Sequence, residues 1–98
     1  MDAAAGPDQG SETVTVRYWA GARAAAGTAE DVFPVTGETT LDVLVRRVLE
    51  RHPDERMERT VAVCSVLVGD RPVRSQDPAT VVLAPGAVVE LLPPFAGG

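Results

Sequence analysis

The residue types that could support chemistry lie at the end of the sequence, where PPFAGG occupies positions 93 to 98. Gly98 offers a terminal carboxylate, which is a poor electrophile until it is activated, for example as a phosphoanhydride. The sequence contains no phosphate-cradling glycine loop and no nucleophile–base pair that would carry out this activation. We therefore predict that another enzyme activates the Gly98 carboxylate and that this chain contributes no catalytic side chain of its own.

The residues before Gly98 suit the delivery of a chain end into another protein. Gly97 and Gly98 have no Cβ, so their backbone fits a narrow channel and adopts φ and ψ values that other residues avoid. Pro93 and Pro94 hold φ near about −65° and keep the segment extended. The stretch from Phe95 to Gly98 then reaches about 13 Å at roughly 3.3 Å per residue, which is enough to enter a neighbouring active site.

Composition restricts the class of protein. The 98 residues fit one domain, and a hydrophobic content of 45% allows a single core. A formal net charge of −5 argues against nucleic-acid binding, which needs clustered cations. One cysteine, Cys64, and one histidine, His52, exclude an internal disulfide, a multi-cysteine zinc site and a histidine cluster. No apolar run reaches the roughly 18 residues of a membrane span, so we expect a cytoplasmic protein without a membrane partner.

The first half of the chain reads as a leader followed by strands. Residues 1 to 12 mix glycine, proline, alanine and acidic residues and are predicted to form a disordered leader. Apolar and polar side chains alternate over 13 to 19, which predicts a half-buried strand. Residues 20 to 27 are punctuated by glycine and are predicted to form a loop, and 30 to 35 a second strand at a sheet edge, since Pro34 has no N–H donor.

The clearest element is a helix over residues 40 to 53. One apolar stripe recurs at helical spacing and consists of Leu41, Leu44, Val45, Val48 and Leu49. Pro53 ends the helix, and His52 in its last turn is interpreted as a partner of the helix dipole. Residues 54 to 60 are predicted to be a polar connection. The apolar run at 61 to 68 predicts a buried strand in which Cys64 is a small hydrophobe.

A short strand at Val73 and a last strand over residues 87 to 94 complete the order strand, strand, helix, strand, short strand, strand. This order predicts an α+β fold of the β-grasp (ubiquitin-like) type, with a mixed sheet of about five strands and one main helix packed on one face. The predicted domain covers residues 13 to 94, and 95 to 98 form a flexible tail ending in Gly-Gly. The first and last strands of such a roll are central neighbours.

That arrangement would bring Trp19 near the start of the tail. Alternation places Trp19 on the outer face of the first strand and Leu92 on the outer face of the last, where a shared apolar patch suggests docking. Two interpretations of Trp19 stay open: packing over its own strand end, or contact with a partner. Phe95 likewise either packs on its own sheet or anchors the tail in a partner groove.

Four stretches in this order resemble the MoaD/ThiS family of sulfur carriers, and within it the small subunits of molybdopterin synthase. They are VTVRYWAGARAAAG, TLDVLVRRVLERHP, VLVGDRPV and PGAVVELLPPFAGG. The resemblance covers about residues 13 to 98. A terminal Gly-Gly alone is a weak motif, but it becomes specific when it follows a double proline and the β-grasp order.

The resemblance implies that a MoeB-like adenylating enzyme, using ATP and magnesium, activates Gly98 and that a thiocarboxylate then replaces the acyl-adenylate. It also implies that the large subunit of molybdopterin synthase, or another sulfur-accepting enzyme, receives the tail. Gly97 and Gly98 would be the reacting end, and this chain would bind no cofactor or metal. The implied partner-binding residues are Trp19, Leu92, Pro93, Pro94, Phe95 and Ala96.

Other functions remain open at this point. The same fold and ending occur in carriers for cysteine, thiamine or specialised sulfur-containing metabolites. A ubiquitin-like protein modifier would use Gly98 to form conjugates with lysines of other proteins, since this chain has no lysine. A β-grasp binding module with incidental glycines is a third class. The sequence does not name the acceptor, the stoichiometry or a role for the leader.

Overall fold

A five-stranded mixed sheet is the frame of the fold, which a computed structural model describes over residues 12 to 94. The strands are β1 (Thr13–Tyr18), β2 (Glu30–Pro34), β3 (Thr39–Thr40), β4 (Ser65–Val68), β5 (Arg71–Pro72), β6 (Val82–Leu83) and β7 (Val88–Leu92). The helices are α1 (Ala20–Ala26), α2 (Leu41–Arg51) and α3 (Glu55–Ala62), with a 3₁₀ turn at Pro78–Thr80.

The strand order β2-β1-β7-β4-β5 confirms the predicted β-grasp fold. β1 and β7 run parallel at the centre of the sheet, whereas β2, β4 and β5 each join by antiparallel pairing. The short strands β3 and β6 form a separate two-stranded ribbon. The central β1–β7 pair places the last strand directly beside the first, as the predicted roll requires.

The core lies between one face of the sheet and the apolar stripe of α2. Val14, Val16 and Tyr18 point inward from β1, in agreement with the alternation seen in the sequence. Leu44 and Val48 of α2 complete this layer and are almost fully buried. The outward side chains of β1 and β7 are therefore left to form a second, exposed sheet face.

Residues 20 to 27, predicted as a loop, form helix α1 instead. Alanine occupies most positions of its sequence, AGARAAA, and has the highest helix propensity of all residues. Ala22 is fully buried and fixes the helix against the core. The prediction was wrong because alanine side chains are too small for their spacing to stand out as the apolar period of a helix.

Residues 54 to 60, predicted as a polar connection, belong to helix α3. Asp54 caps it, since its Oδ1 accepts the Met57 backbone N–H at 2.8 Å. Met57 is the fully buried residue of this helix, and Val61 packs partly buried against the core, a small apolar face that the polar sequence conceals. The buried strand predicted for 61 to 68 is correspondingly shorter and covers only Ser65–Val68, because α3 extends through Ala62.

Glu12, the last residue of the predicted leader, is attached to the domain. Its carbonyl accepts the Val35 N–H at 3.0 Å, and its Oε1 accepts the Gly37 N–H at 3.1 Å. The rest of the predicted leader, 1 to 11, lies outside the described residues. Within residues 12 to 94, no helix has the length and apolar character needed to cross a membrane.

The two glycines of the α1 region should respond to alanine in opposite directions. Gly27 ends α1 with a φ of 76°, and we expect Gly27→Ala to lower the free energy of unfolding by about 1 kcal/mol. Gly21 lies inside α1 without a positive φ, and an added Cβ would meet no atom within 4 Å. Gly21→Ala should raise the free energy of unfolding by about 0.5 kcal/mol. Urea denaturation of both variants tests this, and equal effects would contradict the assigned backbone geometry.

Candidate functional site

The end of β7, just before the C-terminal tail, lies against the end of β1. Leu91 of β7 is paired with Tyr18, and the Trp19 backbone N–H donates to the Leu91 carbonyl at 3.2 Å. On the other side, Leu92 is paired with Ser65 of β4. The parallel β1–β7 pairing thus brings the residues just before the tail next to Trp19, as the sequence predicted.

An apolar groove, here called the outer groove, opens at this end of the exposed sheet face. Its volume is about 530 Å³, and its lining consists of Trp19, Ala20, Ser65, Leu67, Leu92, Pro93 and Pro94. Four predicted partner-binding residues therefore meet at one surface. Residues 95 to 98, which hold the predicted Phe95, Ala96, Gly97 and Gly98, lie outside the described residues.

Trp19 packs over its own strand end, which is one of the two interpretations of its sequence position, and it also keeps an exposed face. Its Nε1 donates to Glu90 Oε1 at 2.8 Å, and the Arg17 guanidinium carbon lies 5.3 Å from the ring centroid. These contacts hold the ring against its own sheet, yet 39% of the residue remains exposed. A rigid aromatic side chain with an exposed face is the usual anchor of a protein interface.

Leu67 is a groove residue that the sequence reasoning missed. It lies opposite Glu90 in the β4–β7 register, so it shares the outer face with Trp19 and Leu92. Its position in an apolar run suggested burial on both faces. The register between β4 and β7, which periodicity does not specify, is what directs Leu67 outward.

A polar cluster lies on the opposite side of β1. Asp31 Oδ2 accepts the Tyr18 hydroxyl at 2.7 Å and contacts His52 Nε2 at 2.6 Å, while Arg51 lies 3.5 Å from Oδ1. An ionised carboxylate only accepts hydrogen bonds, so His52 carries its proton on Nε2. His52 therefore pairs with a β2 carboxylate through its side chain, which the interpretation as a helix-dipole partner did not foresee.

The cluster shifts the pKa values of two of its members. Burial raises the pKa of Asp31, but the hydrogen bonds from His52 and Tyr18 and the charges of His52 and Arg51 outweigh it, so this pKa lies below its ordinary value. Burial, followed by the hydrogen bond and charge of Asp31, raises the pKa of Tyr18. The cluster connects β1, β2 and α2, and its role in the fold is structural.

Asp31→Asn should lower the free energy of unfolding by about 1–3 kcal/mol at neutral pH, because the charged acceptor is lost. Since the folded-state pKa of Asp31 is lowered, its contribution is complete above the unfolded-state pKa. That contribution is lost as pH falls through the folded-state pKa, so the two proteins should converge in strong acid. Urea denaturation across an acidic pH series measures the difference in the free energy of unfolding between the parent protein and Asp31→Asn.

Asp70→Asn is the matched control, because Asp70 is an exposed aspartate in the β4–β5 turn. Its difference from the parent protein should be small across the same pH series. If the difference in the free energy of unfolding between Asp31→Asn and the parent protein grew as the pH fell, the assigned pairing of Asp31 with His52 and Tyr18 would be contradicted.

The remaining candidates for side-chain chemistry do not form a site. Burial raises the pKa of the Cys64 thiol to about 11, and its Sγ lies 3.2 Å from the Thr60 carbonyl, so the thiolate that reacts is disfavoured. Among the described residues, no group of three or more His, Cys, Asp or Glu side chains could hold a metal ion. The outer groove at the start of the tail is therefore the candidate functional site.

The fold and this site define a class: a ubiquitin-like β-grasp domain with an apolar groove beside the end of its last strand. Sequence comparison then gives the family. A sequence profile of the ThiS family matches residues 16–98, which is most of the chain, and the protein belongs to this family. The family resemblance drawn from the sequence is thereby confirmed. No curated protein sequence matches the chain significantly.

Solved structures show the same fold. A putative molybdopterin converting factor subunit 1 from Pyrococcus furiosus is 25% identical with a TM-score of 0.69, over 87% of this chain and 100% of that one. SAMP1 from Haloferax volcanii, a small archaeal modifier protein, is 20% identical with a TM-score of 0.73, over 88% and 99% of the two chains. A third is a complex of subunits 1 and 2 of molybdopterin-converting factor from Helicobacter pylori. It matches at 24% identity and a TM-score of 0.59, over 88% and 99%.

Proposed function

We propose that this protein is a sulfur carrier whose Gly98 carboxylate is adenylated and then converted to a thiocarboxylate that donates its sulfur. One observation supports this most: the parallel β1–β7 pair starts the tail beside an exposed apolar groove centred on Trp19. A partner that covers the outer groove would receive the tail at the same time. The roughly 13 Å reach of residues 95 to 98 would carry Gly98 into that partner.

The chemistry is divided between this chain and its partners. A MoeB-like enzyme, with ATP and magnesium, would form the acyl-adenylate with release of pyrophosphate. The terminal sulfur of a persulfide would displace AMP to give an acyl disulfide, and a second thiol would cleave its S–S bond, which leaves the thiocarboxylate on Gly98 and forms a disulfide with the persulfide's inner sulfur. This chain supplies the carboxylate, the glycine backbone that fits both active sites and the surface that each enzyme recognises. It would act in the cytoplasm, bind no cofactor or metal of its own and use no catalytic side chain.

The accepting partner that we propose is the large subunit of molybdopterin synthase, so that this chain acts as the small subunit in molybdenum cofactor biosynthesis. The likeness to molybdopterin converting factor subunit 1 from Pyrococcus furiosus supports this choice. In the Helicobacter pylori protein, subunits 1 and 2 form a complex. The outer groove is the surface on which an equivalent partner would bind here.

Two alternatives share the same reactive end. One is sulfur delivery to another pathway, such as that of cysteine, thiamine or a specialised metabolite. The other is conjugation to target proteins, which the fold shared with a small archaeal modifier protein leaves open. The pathway is distinguished by which accepting enzyme co-purifies with the chain, and conjugation by ladders on denaturing gels.

Intact-mass analysis tests the carrier function directly. The purified chain is incubated with the activating enzyme, ATP, magnesium, a persulfide source and an excess of a thiol, and its mass is compared with that of a variant lacking Gly98. We expect a species in which one oxygen is replaced by sulfur, formed only by the full chain and only with ATP. If the complete mixture yields no such species, the carrier proposal is wrong.

A further inference from the structure

A second groove, here called the helix groove, shares Ala20, Pro93 and Pro94 with the outer groove but is otherwise formed by helices. Its volume is about 390 Å³. Apart from the two prolines, its lining residues are Ala20, Gly21, Arg56, Arg59, Thr60 and Val63. Pro93 and Pro94, the last described residues before 95 to 98, therefore line both grooves.

The helix groove combines an apolar surface with positive charge. Val63 is 60% exposed, the largest exposed fraction among the large apolar side chains of residues 12 to 94. Arg56 is exposed at the edge of the groove, and the Arg59 side chain is 73% exposed with only a long contact of 3.5 Å to Glu55. On a chain of net charge −5, this surface suits a short segment that is both apolar and anionic.

We propose that residues 95 to 98 of the same chain dock in the helix groove. The segment FAGG offers one apolar side chain, Phe95, and one negative charge, the Gly98 carboxylate. Phe95 would contact the apolar Val63, and the Gly98 carboxylate would pair with Arg56 or Arg59. Pro94 lines the groove, so the segment begins beside it, and its extended reach is about 13 Å at roughly 3.3 Å per residue.

The outer groove is a poorer match for the anionic end. No cationic residue lines it, and the Glu90 carboxylate is hydrogen bonded to Trp19 at its rim. A carboxylate placed there would meet no uncompensated positive charge, because the nearby Arg17 guanidinium lies opposite Glu90 in the β1–β7 register. Docking of the tail in the helix groove therefore leaves the outer groove free for a partner enzyme.

Such docking is reversible. Exposed ion pairs are individually weak, but a short tether gives the tail an effective local concentration on the order of millimolar. A weak contact is then populated in the free protein and is displaced when a partner binds the tail. The docked tail would compete with activation and delivery of Gly98, whichever group it carries.

Nuclear magnetic resonance tests the proposal with the full chain and with a variant that ends at Pro94 as the C-terminal amide, so that the truncation places no new carboxylate at the groove. We expect the truncation to shift the backbone amide signals of Gly21, Thr60 and Val63. In the background of Arg56→Glu and Arg59→Glu together, the same truncation should no longer shift them. High salt should likewise reduce the shifts in the parent protein, because exposed charges are screened.

The matched control carries Arg46→Glu and Arg71→Glu, which change the net charge equally outside the groove, and it should keep the truncation-induced shifts. If the charge-reversed protein does not fold, Arg56→Gln with Arg59→Gln replaces it. The proposal is overturned by unshifted helix-groove amides, by shifts at Ser65 and Leu67 instead, or by shifts that survive both arginine variants. Shifts that grow with protein concentration indicate a second copy as the occupant and also overturn it. No activating enzyme is involved, so either outcome leaves the carrier proposal untouched.

Discussion

Replacing Gly97 with valine is expected to lower thiocarboxylate formation by roughly 10- to 100-fold. A branched side chain in a channel shaped for glycine costs about 1–3 kcal/mol, and each 1.36 kcal/mol is a factor of ten in rate. Valine also cannot adopt the backbone conformations that glycine allows next to the reacting carboxylate. The measurement is the rate at which the sulfur-containing species appears in intact-mass analysis with a limiting amount of activating enzyme.

The fold should be unaffected by this change, because β7, the last strand that contributes to the described core, ends at Leu92. Thermal unfolding of Gly97→Val should match that of the parent chain. Ala84→Val, at an exposed position remote from the tail, controls for the added side chain and should load normally. A large loss of thermal stability in Gly97→Val would show that the tail contributes to the core, and normal loading would remove the steric argument.

The second large effect concerns Trp19. Trp19→Ala should weaken binding to the accepting enzyme by at least about 30-fold, because loss of an aromatic anchor from an interface typically costs about 2 kcal/mol or more. Calorimetric titration with the large subunit of molybdopterin synthase measures this. Trp19→Phe should lose less affinity, since it keeps the apolar surface and gives up only the Nε1 hydrogen bond to Glu90.

Val82→Ala is the control for exposed apolar surface. Val82 is 55% exposed in β6 but does not line the outer groove, so its truncation should leave the affinity nearly unchanged. Far-UV circular dichroism should show that all three variants keep the fold. Equal, small losses for Trp19→Ala and Val82→Ala would indicate that the partner binds elsewhere on the protein.

Much of the frame was predictable because it depends on local patterns. Val14, Val16 and Tyr18 alternate in the sequence and are buried in β1, and the stripe from Leu41 to Val48 is the buried face of α2. The helices α1 and α3 were missed because each buries only one residue, Ala22 and Met57. One buried contact does not create a periodicity that a sequence can reveal.

The sequence by itself determined the family and predicted a reactive end, since the order of elements and PPFAGG are written along the chain. Only the tertiary structure decided what surrounds that end. Trp19 and Glu90 are 71 positions apart but share a hydrogen bond, and Tyr18, Asp31 and His52 meet across three elements. The physical reason is strand pairing: the register of β1, β7 and β4 fixes which side chains face outward together, and register depends on the whole fold.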